Sequence, residues 1–225
     1  MSKINEFEQQ IIKNGFTEED LKEYAKLLRQ VRGNFLKRQH CYTTAIQFPA
    51  EYTEQAITLI KFGLENFEDD GWFSTYTSYF NIGRIYEKAK EYHKAFDYYL
   101  LAKNALGDEH PQYVTELSKY LLWMKLHIDS FCYSAEMEEY YLKYTQAPEF
   151  SKAFLNSEIK LSIANIVISL HYGKIEEAKQ SLEIAKEICK PNYKGKLHSI
   201  LNRHKYNETL NITPEAISFI NNLKV

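Results

Sequence analysis

Candidate catalytic residues are sparse in this sequence. His198, Arg203 and His204 lie close together on a short basic segment, a combination that suits a phosphate or nuclease site. No carboxylate stands at a spacing that would complete such a site, so a solvated basic helix face is the favoured interpretation.

The cysteines do not form a pattern typical of a metal site or a disulfide framework. Cys41, Cys132 and Cys189 are odd in number and far apart, without a CxxC motif or a histidine at ligand spacing. His127 precedes Cys132 by five residues, but a buried helical cysteine is favoured over a nucleophile. No GxGxxG, P-loop, HExxH or GxSxG motif occurs. The sequence therefore predicts no enzyme, no metal site and no cofactor.

The net charge argues against a nucleic-acid partner, and the distribution of charge along the chain raises the possibility of a charged partner. The formal charge of -2 and the pI near 6.4 argue against a protein that neutralises nucleic-acid phosphates. Residues 51–71 carry six acids against one lysine and 108–149 carry eight acids against three bases, whereas 152–225 holds eleven bases against seven acids. This imbalance reflects either ordinary solvated helix faces or a polarised surface that orients a charged partner.

The N-terminus and the hydropathy pattern predict a cytoplasmic protein without membrane contact. The first eight residues lack the basic and apolar regions of a secretory signal. No run approaches the roughly 18 apolar residues that a transmembrane helix needs.

Composition and turn residues predict an all-α fold in one continuous domain, residues 1–225. Hydrophobic residues make up 44% of the chain, yet it contains only 8 Gly and 5 Pro, too few for the turns of a sheet protein. Thr17 and Asp20 form a variant capping box, Thr213 precedes Pro214 as a helix cap, and Gly173 suits a left-handed helix end. Helices are predicted at 3–14, 17–36, 38–48, 52–66, 74–89, 92–106, 112–131, 133–146, 150–171, 175–189, 194–206 and 214–223.

A pattern of small and large residues recurs along the chain. A small residue is followed four positions later by a large one and three positions after that by a smaller or apolar one. Its copies are Ala56-Ile60-Gly63, Ala95-Tyr99-Ala102, a degraded Met137-Tyr141-Tyr144, Ala178-Leu182-Ala185 and Ala216-Ile220-Leu223. Successive first positions are 39, 42, 41 and 38 residues apart. A period near 40 over five units indicates stacked helical hairpins.

The segment 79–102 resembles a tetratricopeptide repeat. Its small residues suit the closest approach of two helices, and its tyrosines suit the space between neighbouring hairpins. The resemblance rests on Tyr79, Ile82, Gly83, Tyr86, Ala95, Tyr99 and Ala102.

The resemblance implies a right-handed superhelical array of about five antiparallel helical hairpins behind an N-terminal helical extension. The extension is residues 1–36, and the hairpins are 37–66, 74–106, 112–146, 150–190 and 194–225. The long period is similar to that of Gram-positive regulators that sense short signalling peptides. About 36 residues precede the array, too few for the DNA-binding module that such regulators commonly carry.

Tetratricopeptide arrays bind ligands on a concave face lined by the first helix of each hairpin. In the well-matched unit the resemblance assigns that face to Thr77, Phe80, Arg84, Glu87 and Lys88, with Asn81 beside them. An aromatic platform flanked by two cations would suit an acidic or C-terminal peptide segment, although a solvated helix face is the alternative.

The corresponding positions of a later unit are more apolar. They hold Lys160, Ile163, Val167 and His171. These residues either form an apolar end of the groove or are buried beneath the C-terminal hairpin.

These observations predict a scaffold or regulator that binds a protein or peptide on its concave face. The alternative is a dedicated inhibitor, such as an immunity protein that blocks a toxin, because opposite charge on the middle and the tail would speed association. The sequence leaves open whether two copies of the chain associate.

Overall fold

The computed structural model describes residues 2–68, 71–107, 110–146, 158–188 and 213–223. The described ranges contain eleven α-helices, one short 3-10 turn and no β-strand, so the predicted all-α class is confirmed. The chain divides into two compact units, Met1–His110 and Pro111–Val225. None of the described helices is both long enough and apolar enough to cross a bilayer.

The described residues of the first unit form six α-helices. They are α1 (Lys3–Asn14), α2 (Glu18–Leu28), α3 (Asn34–Ala45), α4 (Thr53–Asn66), α5 (Trp72–Lys88) and α6 (Tyr92–Leu106), with the 3-10 turn at Ala50–Tyr52 before α4. The predicted capping box opens α2: Thr17 Oγ1 accepts from the Asp20 amide, and the Asp20 carboxylate accepts from the Thr17 amide at 2.8 Å. Both reciprocal bonds satisfy amides that have no partner within the helix.

One predicted boundary in this unit is wrong. The sequence predicted helices at 17–36 and 38–48, but α2 ends at Leu28 and α3 begins at Asn34. Gly33, with φ of 85°, lies in the left-handed region at the start of α3. Apolar residues continue at helical spacing through Val31 and Phe35, so periodicity alone concealed the break.

Two helix pairs form the body of the first unit, α3 with α4 and α5 with α6. Each pair meets at a glycine. A Cβ on Gly63 would lie 2.9 Å from the Cys41 Cβ, and a Cβ on Gly83 would lie 2.7 Å from the Tyr99 ring. The predicted need for a small residue at these closest approaches is confirmed, although Tyr99 fills space within its hairpin rather than between hairpins.

Polar side chains fasten the N-terminal helices to this body. Gln55 on α4 accepts from the Phe16 amide at 3.2 Å and donates to the Phe16 carbonyl at 3.1 Å. Glu8 on α1 accepts from the Tyr24 hydroxyl at 2.6 Å, and His40 Nδ1 lies 2.8 Å from the same carboxylate oxygen. The Glu8 cluster, defined as Glu8, Tyr24 and His40, therefore joins α1, α2 and α3.

Arg38 joins the two helix pairs. Its buried guanidinium donates to the Phe67 carbonyl at 2.6 Å, beyond the end of α4, and to the Thr75 hydroxyl at 3.0 Å in the first turn of α5. Carbonyl groups at a helix C-terminus carry partial negative charge, which favours a cation there.

The second unit contains five described helices. They are α7 (Pro111–Ile128), α8 (Ala135–Thr145), α9 (Glu158–His171), α10 (Ile175–Ile188) and α11 (Pro214–Asn222). α7 pairs with α8, and α9 pairs with α10 and also contacts α7 and α8. Gly173, between α9 and α10, has the predicted left-handed conformation, with φ of 69°.

The last described helix docks through its N-cap and an aromatic ring. Thr213 accepts from the Ala216 amide at 3.3 Å, as predicted, and its hydroxyl lies 3.3 Å from His127 Nε2. The Phe219 ring stacks on Phe131 at 5.1 Å. These contacts tie α11 to the end of α7.

The four helix pairs follow one another along the chain, in the order that the hairpin prediction required. The predicted helix at 194–206, and with it the first half of the fifth hairpin, lies outside the described residues, as do positions 150–157. A regular superhelical array of five hairpins remains a prediction.

Candidate protein-binding surface

One face of α5 presents aromatic and basic side chains in a row. Residues at intervals of three or four positions share a helix face. We define the α5 stripe as Phe73, Thr77, Phe80, Arg84 and Lys88. Arg84 and Lys88 are exposed, Phe73 is 38% exposed, and the other two are half-buried. Four residues of the stripe belong to the groove predicted from the sequence.

The N-terminal end of the α5 stripe is aromatic. The Phe73 ring lies 6.3 Å from that of Phe35 on α3 and 5.4 Å from that of Trp72. Phe35 and its neighbour Leu36 are exposed. Sequence reasoning missed this end, because an exposed phenylalanine has the same helical spacing as a buried one.

Phe80, the predicted aromatic platform, has two neighbours within the hairpin. Its ring stacks on Tyr76 at 5.6 Å and lies at the same distance from Tyr99 on α6. The side chain is half-buried, and its contact with Tyr99 helps to pack α5 against α6. Only its outer part can contribute to the surface.

The C-terminal end of the α5 stripe is positively charged. Glu87, the only acidic residue of α5, accepts from the Tyr99 hydroxyl at 2.6 Å. Glu91, one turn beyond, pairs with Lys94 at 2.5 Å. Among the residues that the structure describes, no carboxylate forms an ion pair with Arg84 or Lys88. Glu87 and Glu91 therefore interact with residues of α6, and Arg84 and Lys88 face solvent.

The remaining predicted residues of α5 are less accessible. Asn81 is 6% exposed, so it lies in the interior beside the stripe. The Thr77 hydroxyl donates to the Phe73 carbonyl at 2.7 Å, within its own helix. Glu87 is half-buried against Tyr99.

Three of the four predicted residues of α9 are buried. Ile163 is inaccessible to solvent, Val167 is 5% exposed, and Lys160 is 9% exposed. The Lys160 ammonium lies 5.0 Å from the Trp123 ring centre and 5.3 Å from that of Tyr120, both on α7. His171 is exposed at the end of the helix. These residues are buried, as the second alternative predicted, but α7, α8 and α10 cover them rather than the C-terminal hairpin, whose first half lies outside the described residues.

Of the cysteines and histidines considered in the sequence analysis, the structure describes Cys41, Cys132 and His127. Burial raises the pKa of the Cys41 thiol well above its usual range, which disfavours the nucleophilic thiolate. Cys132 is exposed rather than buried as predicted, and His127 packs edge-on against Trp123 at 4.5 Å. No group of three metal-ligating side chains occurs within the described ranges. The other residues weighed lie outside the described residues: Cys189, His198, Arg203 and His204.

Comparison of the chain with protein-family models, with curated proteins and with solved structures gives no match.

Proposed function

We propose that this protein binds an acidic peptide segment of a partner protein on the α5 stripe. The observation that carries the proposal is the pairing of two exposed cations, whose neighbouring carboxylates are engaged elsewhere, with an exposed aromatic end. Many other exposed lysines, in contrast, form an ion pair within their own helix. Examples are Lys22, Lys26, Lys143, Lys179 and Lys186.

The chemistry of the stripe matches such a ligand. Arg84 can grip a carboxylate with two parallel hydrogen bonds, and Lys88 adds a second positive charge about 6 Å further along the helix axis. Phe73 and Phe35 supply flat apolar area, which anchors interfaces at a low entropic cost. The expected ligand therefore combines carboxylates with a large apolar side chain.

The α5 stripe belongs to one of several successive helix pairs. We infer a tetratricopeptide-like scaffold from their order and from the close approach of α5 to α6 at Gly83. A crystal structure in which successive pairs are related by different rotations would contradict that part of the proposal.

Selection from a random peptide library against the full chain tests the binding function. We expect the selected peptides to be rich in Asp and Glu and to contain an aromatic or large aliphatic residue. Fluorescence anisotropy of a selected peptide should show a loss of affinity of about tenfold or more in the double variant Arg84→Glu/Lys88→Glu.

A matched variant controls for net charge. Lys179→Glu/Lys186→Glu changes the charge by the same amount on the exposed side of α10 and should leave the affinity within about twofold. Equal losses in the two double variants, or a selection without acidic peptides, would contradict the proposal. Circular dichroism of each variant verifies that the helices are retained.

A further inference from the structure

A second surface cluster lies in the unit Pro111–Val225, around the carboxylate of Glu138 on α8. The Tyr133 hydroxyl donates to Glu138 Oε2 at 2.7 Å, and the Tyr172 hydroxyl donates to the same oxygen at 2.9 Å. The two hydroxyl oxygens are 3.3 Å apart. Two donors from different loops therefore hold this carboxylate in one orientation.

Three rings, two of which belong to the tyrosines that donate to the carboxylate, pack against one another. The His171 ring stacks on Tyr133 with a centroid distance of 3.6 Å and an interplanar angle of 6°. The Tyr172 ring stands edge-on to both, 5.9 Å from Tyr133 and 4.9 Å from His171. Tyr172 is 53% exposed, so part of its ring is available to a partner. We call Glu138, Tyr133, His171 and Tyr172 the Glu138 cluster.

The charge of Glu138 has no counter-ion within the described part of the chain, unlike that of its neighbours on α8. Glu136 pairs with Lys125 at 3.2 Å, and Glu139 pairs with Lys143 at 2.6 Å. Lys174, two residues beyond Tyr172, pairs with Glu177 instead.

The hydroxyls of Tyr133 and Tyr172 act as hydrogen-bond donors to the negatively charged Glu138 carboxylate. Hydrogen bonds with Tyr172 and Glu138 raise the pKa of Tyr133, so the tyrosine stays protonated as a donor. Both donors occupy Oε2, which leaves Oε1 of Glu138 to accept from a ligand.

We propose that the Glu138 cluster binds an arginine side chain of a partner protein. A carboxylate framed by aromatic rings attracts a cation both through its charge and through the ring quadrupoles. The planar guanidinium can donate to Glu138 while stacking on the exposed ring of Tyr172, whereas an ammonium group offers no planar face. This site is independent of the α5 stripe and has the opposite charge preference.

Nuclear magnetic resonance of the full chain tests this proposal with N-acetyl-arginine amide as the probe. Its blocked ends copy an arginine within a polypeptide, and the citrulline analogue has nearly the same shape without the charge. With the arginine probe we expect saturable shifts of the His171 and Tyr172 ring signals. The citrulline analogue should produce none.

Two substitutions test whether arginine binds at Glu138. Glu138→Gln keeps the size and an acceptor for the tyrosine hydroxyls, and it should weaken arginine binding by about fivefold or more. Glu183→Gln removes a charge from the exposed side of α10 and should leave the affinity unchanged.

Three outcomes of these measurements would overturn the assignment, and a fourth comes from a comparison with free arginine. The three are the absence of saturable shifts, an equal response to citrulline, and full affinity in Glu138→Gln with its ring signals in place. Tighter binding of free arginine than of the blocked probe would also overturn it, because the site would then suit a small molecule.

Discussion

The first helices of two hairpins, α5 and α9, carry the residues predicted to line one groove, yet their surroundings differ. The α5 stripe faces solvent over much of its length, with Arg84 and Lys88 exposed. On α9, Ile163 and Val167 are buried. α9 is apolar on more than one face, so it is covered by α7 and α8 as well as by its partner α10. Equivalent positions in a repeat pattern therefore need not have equivalent exposure.

Two clusters built from Glu, Tyr and His also differ in their exposure to solvent. The Glu8 cluster lies between three helices, and the Glu8 side chain is only 12% exposed. The Glu138 cluster lies at the surface, where Tyr172 is 53% exposed. Similar hydrogen bonds thus support the fold in the first case and leave a charge open to a ligand in the second.

The two tryptophans allow each unit to be followed separately. Trp72 lies in the first unit and Trp123 in the second, and the chain contains no other. In a Trp123→Phe background, Trp72 fluorescence reports unfolding of the first unit. Trp72→Phe leaves Trp123 as the reporter for the second.

The largest expected effect belongs to the buried side of α9. Ile163→Ala should lower the free energy of unfolding of the second unit by about 2–5 kcal/mol, because it removes buried methyl groups and leaves a cavity. Urea denaturation followed by Trp123 fluorescence measures the change. Ile184→Ala is the same substitution at a side chain that is 52% exposed, and it should cost less than about 1 kcal/mol. Equal losses of unfolding free energy in the two variants would contradict the burial of Ile163.

On α5, the side that faces α6 should be far more sensitive than the stripe. Gly83→Leu would force a side chain into the Tyr99 ring, which lies only 2.7 Å from the position that a Cβ would take, and should cost about 1–3 kcal/mol or more. The matched change Lys88→Leu, at an exposed position of the same helix, should cost less than about 0.5 kcal/mol. Thermal unfolding followed by Trp72 fluorescence compares them, and a tolerated leucine at 83 would contradict the helix packing.

Glu8→Gln tests the buried cluster and has a defined pH dependence. Burial alone raises the pKa of Glu8, but hydrogen bonds from His40 and Tyr24 outweigh it, so the pKa lies below its ordinary value of 4.5. Glu8 therefore contributes stability that is fully present above pH 4.5 and is lost as the pH falls through the folded pKa.

At neutral pH, Glu8→Gln should lower the free energy of unfolding of the first unit by about 1–2 kcal/mol, because it weakens hydrogen bonds to a charged group. The difference from the unsubstituted chain should shrink as the pH falls below 4.5. Urea denaturation at several pH values measures both, with Glu6→Gln, at an exposed site on α1, as the control. A difference that does not vary with pH would show that the charge of Glu8 is not the cause.

The smallest effect on stability is expected at the surface cluster. Glu138→Gln should change the free energy of unfolding of the second unit by less than about 0.5 kcal/mol, because the amide oxygen still accepts from the tyrosines and the site is open to water. Trp123 fluorescence during urea denaturation measures it. A cost as large as that of Glu8→Gln would indicate that the Glu138 cluster supports the fold.

Local features of the fold could be predicted because they depend on residues close together in the chain. The capping box at Thr17 and the left-handed Gly173 follow from backbone hydrogen bonds and steric limits within a few positions. The break before Gly33 could not be predicted, because apolar spacing continued across it. The aromatic end of the α5 stripe was missed for a related reason, since Phe35 and Phe73 meet only after α3 and α5 pack together.

The sequence by itself determined the helical class, most helix ends and the small residues at which paired helices meet, because each follows from periodicity, capping or side-chain volume. Only the tertiary structure decided which polar and aromatic residues remain accessible. Exposure depends on every element that packs against a helix, and those elements are distant in sequence. That is why Ile163 and Arg84, assigned to one groove by position, have opposite surroundings, and why the Glu138 cluster emerged only from the packed chain.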